Sequence, residues 1–209
     1  MASDTLTSGN DVYTSSLIPT GGETANSIYA LGGDDIVSGN QYVDYIFGGN
    51  GNDQLDGKGN NDILLGENGN DLLLGSAGDD LLVGGQGKDT LYGGPGDDRL
   101  FGGTEDDLYY SSESNIGFDT INDDLSAAAN PGFGGGEDTL QMIDVAGAEL
   151  FLYRIGDNLH VTSNDDVADG FINTGAIIED FFVGGIGNPN QIEFIVGSDG
   201  VYYDTDNFF

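Results

Sequence analysis

Between Gly21 and Tyr110 a nine-residue pattern is written ten times without a break. No other property of the chain limits its fold so narrowly. The clearest copy is Gly48-Gly49-Asn50-Gly51-Asn52-Asp53-Gln54-Leu55-Asp56. The first position is Gly in every copy but one, where Ala30 stands. The sixth is Asp at 35, 44, 53, 62, 71, 80, 89, 98 and 107, with Asn26 in the first copy. The eighth is always apolar or aromatic: Ile28, Val37, Ile46, Leu55, Leu64, Leu73, Leu82, Leu91, Leu100 and Tyr109. Three positions held in phase over this length define a repeat protein, in which each unit is stable only when stacked on its neighbours.

Each position has a physical reason. A glycine-rich run of six makes a tight turn, because Gly takes positive φ without steric cost. Three extended residues follow, and the side-chain alternation of a strand turns only the eighth position inward. Two units make one coil with a short strand on each side. Coils stacked about 4.8 Å apart pair these strands in parallel and bury the eighth-position column. The expected fold is therefore all-β, a parallel β-roll of two sheets. Its core is thin, with one aliphatic side chain per nine residues, so apolar burial alone does not offset the entropy of ordering the turns.

The aspartate column raises a second problem and suggests the answer to both. Carboxylates stacked about 5 Å apart repel one another. A hard divalent cation between successive turns reverses that sign. Calcium suits the turns best, since it takes oxygen ligands from carboxylates and backbone carbonyls in flexible geometry. Magnesium demands a stricter octahedron, and zinc prefers His or Cys. The chain has one histidine and no cysteine.

These residues resemble the RTX (repeats-in-toxin) family, the haemolysin-type calcium-binding nonapeptide repeat. The resemblance is strong over residues 30–110 and weak after 137. It implies a parallel β-roll with calcium between turns, export by a type I machine and folding outside the cell. Carried over position by position, it makes Asp35, Asp44, Asp53, Asp62, Asp71, Asp80, Asp89, Asp98 and Asp107 the metal ligands. Alternate copies share an edge, which gives Asp35, Asp53, Asp71, Asp89 and Asp107 on one edge and Asp44, Asp62, Asp80 and Asp98 on the other. One ion per gap predicts about seven calcium ions. The fourth position departs from Gly at Tyr42, Asn60 and Glu105. Asn tolerates the left-handed region, whereas Tyr and Glu do so poorly.

The net charge of −33 excludes nucleic acid and anionic membrane as electrostatic partners. Asp outnumbers Glu 29 to 8, as expected where a turn needs the short carboxylate at a fixed place. Without cysteine there is no disulfide framework, and metal is the usual substitute in a small exported domain. The stretch Met1-Ala2-Ser3-Asp4-Thr5-Leu6 is no secretory signal peptide, and no apolar run reaches membrane-spanning length. The ending Asp204-Thr205-Asp206-Asn207-Phe208-Phe209 looks like the acidic-then-apolar termini of type I substrates. The expectation is an extracellular protein with no membrane insertion.

The sequence divides into an N-terminal cap over 1–20, the roll over 21–110 and a C-terminal β-rich cap over 111–209. In the first part, Gly9-Asn10-Asp11-Val12-Tyr13 echoes the repeat out of phase. In the last, residues 149–155 and 159–162 flank Gly156-Asp157-Asn158 as a hairpin. On the outside of the roll one sheet presents Tyr45, Phe47, Ile63, Leu65, Leu81, Val83 and Phe101. So large an apolar face predicts a cover, by the C-terminal region or else by a partner or second copy.

Nothing in the sequence reads as an active site. His160 lacks a nucleophile partner in any G-x-S-x-G setting, and Gly87-Lys88-Asp89 is not a P-loop. Asp165 to Gly170 glances at an EF-hand loop, but Val167 and Ala176 stand at ligand positions. The expectation is a non-enzymatic calcium-binding protein. The alternatives are a polysaccharide- or ice-binding solenoid and a surface or matrix adhesion protein using the apolar face. Positions three and five are irregular, which argues against an ice-binding array.

Overall fold

A computed structural model describes residues 2–16, 25–111, 117–122, 138–144, 150–155, 158–163, 174–178 and 192–204. Among them every regular element is a strand, and the strands form two sheets. The first sheet runs, neighbour to neighbour, through β1 (Ala2–Thr5), β3 (Ala25–Tyr29), β5 (Val43–Asn50), β7 (Ile63–Asn68), β9 (Leu81–Gln86), β11 (Arg99–Thr104), β13 (Gly117–Ile121), β17 (Thr174–Ile178), β16 (Asn158–Ser163) and β15 (Leu150–Ile155). The second runs through β2 (Val12–Thr14), β4 (Ile36–Ser38), β6 (Gln54–Gly59), β8 (Leu72–Ala77), β10 (Thr90–Tyr92), β12 (Leu108–Ser111), β14 (Asp138–Met142), β18 (Ile192–Val196) and β19 (Tyr202–Asp204). From β1 to β14 successive strands alternate between the sheets. Pairing is parallel from β1 through β17 and from β2 through β18. This is the β-roll, with sheets that do not close on each other.

The eighth-position column is the core. From Ile28 to Tyr109 every one of these side chains is at most 1 % exposed. The column continues into Ile121, Leu140, Ile178, Ile192 and Ile195. Tyr109 fits inside because its hydroxyl accepts the Gly102 N–H at 2.7 Å, so the polar end is satisfied.

The parallel stack is longer than the uninterrupted nonads. The Gly9–Tyr13 echo stacks in register, with Tyr13 opposite Val37, even though it is out of phase in sequence. At the other end β13, β14, β17 and β18 add further coils of unequal length. The direction then changes: β15, β16 and β19 join antiparallel, with the β15–β16 hairpin where the sequence placed it.

Among the described residues, the C-terminal strands do not provide the expected cover over the apolar face. They lengthen the two sheets along the roll, since β17 and β18 take the parallel places beside β13 and β14. The side chains on that face shield one another instead. Phe101 is buried, while Tyr45, Phe47, Ile63, Leu65, Leu81 and Val83 are half-buried. Tyr29 stacks on Phe47 with centroids 4.8 Å apart, and the Arg99 guanidinium lies 5.3 Å from the Phe101 ring centroid. Residues 205–209 and the Asp165–Gly170 segment lie outside the described residues.

Candidate metal centre

The sixth-position aspartates come together as two ladders, one on each edge of the roll. All nine are at most 3 % exposed. Each donates its backbone N–H to Oδ1 of the aspartate one coil further on: Asp35 to Asp53 at 2.8 Å, Asp53 to Asp71 at 2.7 Å, Asp71 to Asp89 and Asp89 to Asp107 at 2.8 Å. On the other edge Asp44 donates to Asp62 and Asp62 to Asp80 at 2.7 Å, and Asp80 to Asp98 at 2.8 Å. The step is eighteen residues throughout. One carboxylate oxygen per residue is thereby spent on holding the preceding coil.

The other oxygen is the notable one. Oδ2 of Asp35, Asp53, Asp62, Asp71, Asp80, Asp89 and Asp98 is buried and receives no hydrogen bond. Except at Asp35, whose turn begins with Ala30, its surroundings are set by the first-position glycines. A Cβ placed on Gly48 would sit 2.5 Å from Asp53 Oδ2 and 2.9 Å from the carbonyl oxygen of Gly66 on the next coil. A carboxylate oxygen and a carbonyl oxygen therefore converge in the space that the missing side chain leaves open. Gly66 repeats the arrangement with Asp71 Oδ2 and the Gly84 carbonyl.

A buried carboxylate oxygen with no donor, set near a carbonyl oxygen, is a costly arrangement. Burial accordingly pushes these carboxyls up from the ordinary value of 3.8. Asp62 and Asp98 rise to about 8, Asp89 to about 7, and Asp71 and Asp80 to about 6. Asp35 and Asp53 are raised for the same reason. In each case the backbone hydrogen bond pulls the other way, and a neighbouring aspartate adds to the rise. Such a site calls for positive charge.

The donor set discriminates between cations. The ladders present carboxylates in single file, and among the described residues no three His, Cys, Asp or Glu side chains converge on one point. Zinc, which takes most of its ligands from side chains, has no place here. Calcium accepts carbonyl and carboxylate oxygens together and fits the cradle.

The turns that hold the ladders share one backbone form. The second and fourth positions are left-handed in every turn from Leu31 to Glu105 except one. Asn60 and Glu105 both adopt φ 76°. Glu105 therefore takes the conformation that its side chain disfavours, because the coils on either side fix the turn. The exception is the turn at Asn40 and Tyr42. There Asn40 Oδ1 accepts the Tyr42 N–H at 2.9 Å, and the Asn40 N–H donates to Asp44 Oδ2 at 2.7 Å.

The ladders extend beyond the nonads in ways the nine-residue count misses. Asp11 donates its N–H to Asp35 Oδ1 at 2.6 Å, and Asp107 donates to Asp138 Oδ1 at 2.7 Å. Asp98 lies within hydrogen-bonding reach of Asp119, whose own carboxyl is pushed up to about 7, chiefly by burial. The signal is a shorter one, G-x-D-x-apolar, in Gly9–Tyr13, Gly117–Ile121 and Gly136–Leu140. A second ladder runs the opposite way through the fifth positions. The N–H groups of Asn52, Asn70 and Lys88 donate to Oδ1 of Asp34, Asn52 and Asn70 at 2.8–2.9 Å. The irregular fifth position is thus a clasp, for which any short side-chain oxygen suffices.

His160 lies in β16 opposite Tyr153 and Ile177, and burial lowers its pKa. Among the described residues no helix is long and apolar enough to cross a membrane. A search of curated proteins finds no match to the chain. The family description of the RTX calcium-binding nonapeptide repeat, in four copies, matches residues 20–41, 38–73 and 74–109. That match places RTX calcium-binding nonapeptide repeats in residues 20–109, and the described residues there form the β-roll with its stacked, buried aspartate ladder.

Proposed function

We propose that this protein works outside the cell as a non-enzymatic calcium-binding roll, and that calcium drives its folding. The observation that carries the reading is the file of buried carboxylate oxygens that receive no hydrogen bond, with a carbonyl oxygen of the next coil beside those of Asp53, Asp62, Asp71 and Asp80. Asp35, Asp53, Asp71, Asp89 and Asp107 serve one edge, and Asp44, Asp62, Asp80 and Asp98 the other. Four gaps on the first edge and three on the second set an upper bound of about seven ions within the nonads. The nonads over 21–110 form the calcium-binding unit, with residues 1–20 and 111–209 closing its two ends.

The mechanism is linkage. At the low calcium of a cell interior, a net charge of −33 keeps the chain expanded. At extracellular calcium, ions that bind only the folded coils add their binding free energy to folding. RTX repeats typically belong to secreted proteins, which supports an extracellular site of action. The reading is tested by titrating calcium from micromolar to tens of millimolar while following far-UV circular dichroism and hydrodynamic radius, with magnesium as control. A cooperative gain of β signal with compaction, in calcium only, is the expected result. A chain already compact in chelator at pH 8 would refute ion-driven folding.

A further inference from the structure

We propose that the gap between Asp44 and Asp62 is closed by hydrogen bonds and takes no calcium. The inference rests on the calcium reading above and specifies which gaps of the roll are ion sites.

Asp44, unlike Asp35, Asp53, Asp62, Asp71, Asp80, Asp89 and Asp98, has donors on both carboxylate oxygens. The Asn26 side-chain amide donates to Oδ1 at 2.7 Å, and the Asn40 backbone N–H donates to Oδ2 at 2.7 Å. In Asp53, Asp62, Asp71, Asp80, Asp89 and Asp98 the Oδ2 atom receives no such bond. That oxygen faces the next coil: a Cβ on Gly39 would lie 2.5 Å from Asp44 Oδ2 and 2.6 Å from the Gly57 carbonyl oxygen. In this gap the lone pairs that would meet a cation meet an N–H instead.

The cause lies in two residues. Position two is Asn40, and position four is the bulky Tyr42; neither takes the left-handed form found at those positions in the other turns from Leu31 to Glu105. The turn therefore rotates its second amide toward Asp44. Three side-chain hydrogen bonds fix it there: Tyr42 N–H to Asn40 Oδ1 at 2.9 Å, Asn40 Nδ2 to Ser15 Oγ at 3.0 Å and Asn60 Nδ2 to the Gln41 carbonyl at 2.7 Å. An ion entering this gap would have to expel the Asn40 amide and break the turn that Ser15 and Asn60 hold from the coils on either side. The neutral amide of Asn26, in place of the usual carboxylate, also removes the charge that the preceding coil would bring. The edge carrying Asp44 thus begins to bind ions at Asp62.

Native mass spectrometry at saturating calcium tests this by counting ions. Asn40→Gly combined with Tyr42→Gly restores the left-handed turn and is expected to bind one ion more than the wild type. Asp44→Asn is expected to lose none, whereas Asp62→Asn, the positive control, loses at least one. If Asp44→Asn does not fold, the double glycine variant decides alone. An unchanged count in the double variant, or an ion lost in a folded Asp44→Asn protein, overturns the proposal. A wild type that binds no calcium at all instead removes the underlying calcium reading. An independent readout is hydrogen exchange: in the calcium-folded wild type the Asn40 amide is protected by its bond to Asp44, and rapid exchange of that amide in the folded protein would also overturn the proposal.

Discussion

Acid should substitute for calcium. The perturbation is a change of pH in chelator, and its direction follows from the raised carboxyls. A carboxyl whose folded pKa lies above its unfolded value binds more protons in the folded chain, so stability falls as pH rises between the two values. The stabilising contribution is complete below the unfolded value of about 4 and is lost as pH climbs through the folded value. Asp89 serves as the worked case, being 1 % exposed and raised to about 7. Three pH units at about 1.4 kcal/mol each give about 4 kcal/mol. Solvent screening at the edge of the roll reduces this to about 2 kcal/mol. Asp62 and Asp98 are raised further, to about 8. A few such sites match the whole stability of a domain, about 5–15 kcal/mol. The ion-free chain is therefore expected to be expanded at pH 8.5 and to gain β signal and compactness on acidification to pH 5.5. The assay is circular dichroism with size-exclusion chromatography at fixed ionic strength. A midpoint between pH 6 and 8 identifies the buried ladder, because relief of general charge repulsion would wait for ordinary carboxyls near pH 4. No transition above pH 5.5, or a chain most compact at alkaline pH, would refute the reasoning.

Other consequences can also be measured. Protons and calcium compete for the same oxygens, so the calcium affinity of the folded roll, measured by isothermal titration calorimetry, should fall by about tenfold between pH 7.5 and pH 6, while folding in saturating calcium becomes nearly independent of pH. Gly66→Ala places a methyl group against Asp71 Oδ2 and 2.7 Å from the Gly84 carbonyl; it should cost about 2–4 kcal/mol and shift the calcium midpoint upward. Gly59→Ala, where the nearest atom is the Ala77 carbonyl at 3.8 Å, should lie within about 0.5 kcal/mol of wild type in denaturant titrations with calcium. Leu73→Ala empties a fully buried position of a one-residue-wide core and should cost about 2–5 kcal/mol in the same titration.

Much of this architecture was legible from the repeat itself. The eighth-position column specifies which side chains face inward, and the first- and sixth-position columns specify where a turn brings a carboxylate against bare backbone. Those are local rules repeated in phase, so counting by nine finds them. What counting by nine misses is set by distance in space. Asp11, Asp119 and Asp138 join the ladders although the loops before or after them break the period, because a parallel stack aligns strands and leaves loop length free. The fifth-position clasp was illegible for a different reason. It asks only for an oxygen at short reach, which Asn and Asp supply equally, so no single residue type marks it. The fate of the apolar face depended on whether the C-terminal strands would continue the sheets or lie across them. Alternating hydrophobicity is the same in both cases. Tyr42 and Glu105 look alike as poor left-handed residues, yet only Glu105 takes that form. At Tyr42 the adjacent Asn40 offers an alternative set of hydrogen bonds, a choice visible only once the coils are stacked.

The constant eighteen-residue step also governs how the molecule can assemble and vary. Within the nonads each strand finds its partner one coil away, so every pairing there closes a loop of the same modest size and none waits for the distant ends of the chain to meet. Ordering can then advance coil by coil, like a zipper. Lengthening a loop from eighteen to thirty-one residues, as between Asp107 and Asp138, adds only about 0.5 kcal/mol of closure entropy. Insertions at the turns of the roll are therefore thermodynamically cheap, and the edges of the stack are where new sequence can be accommodated without disturbing the register beneath.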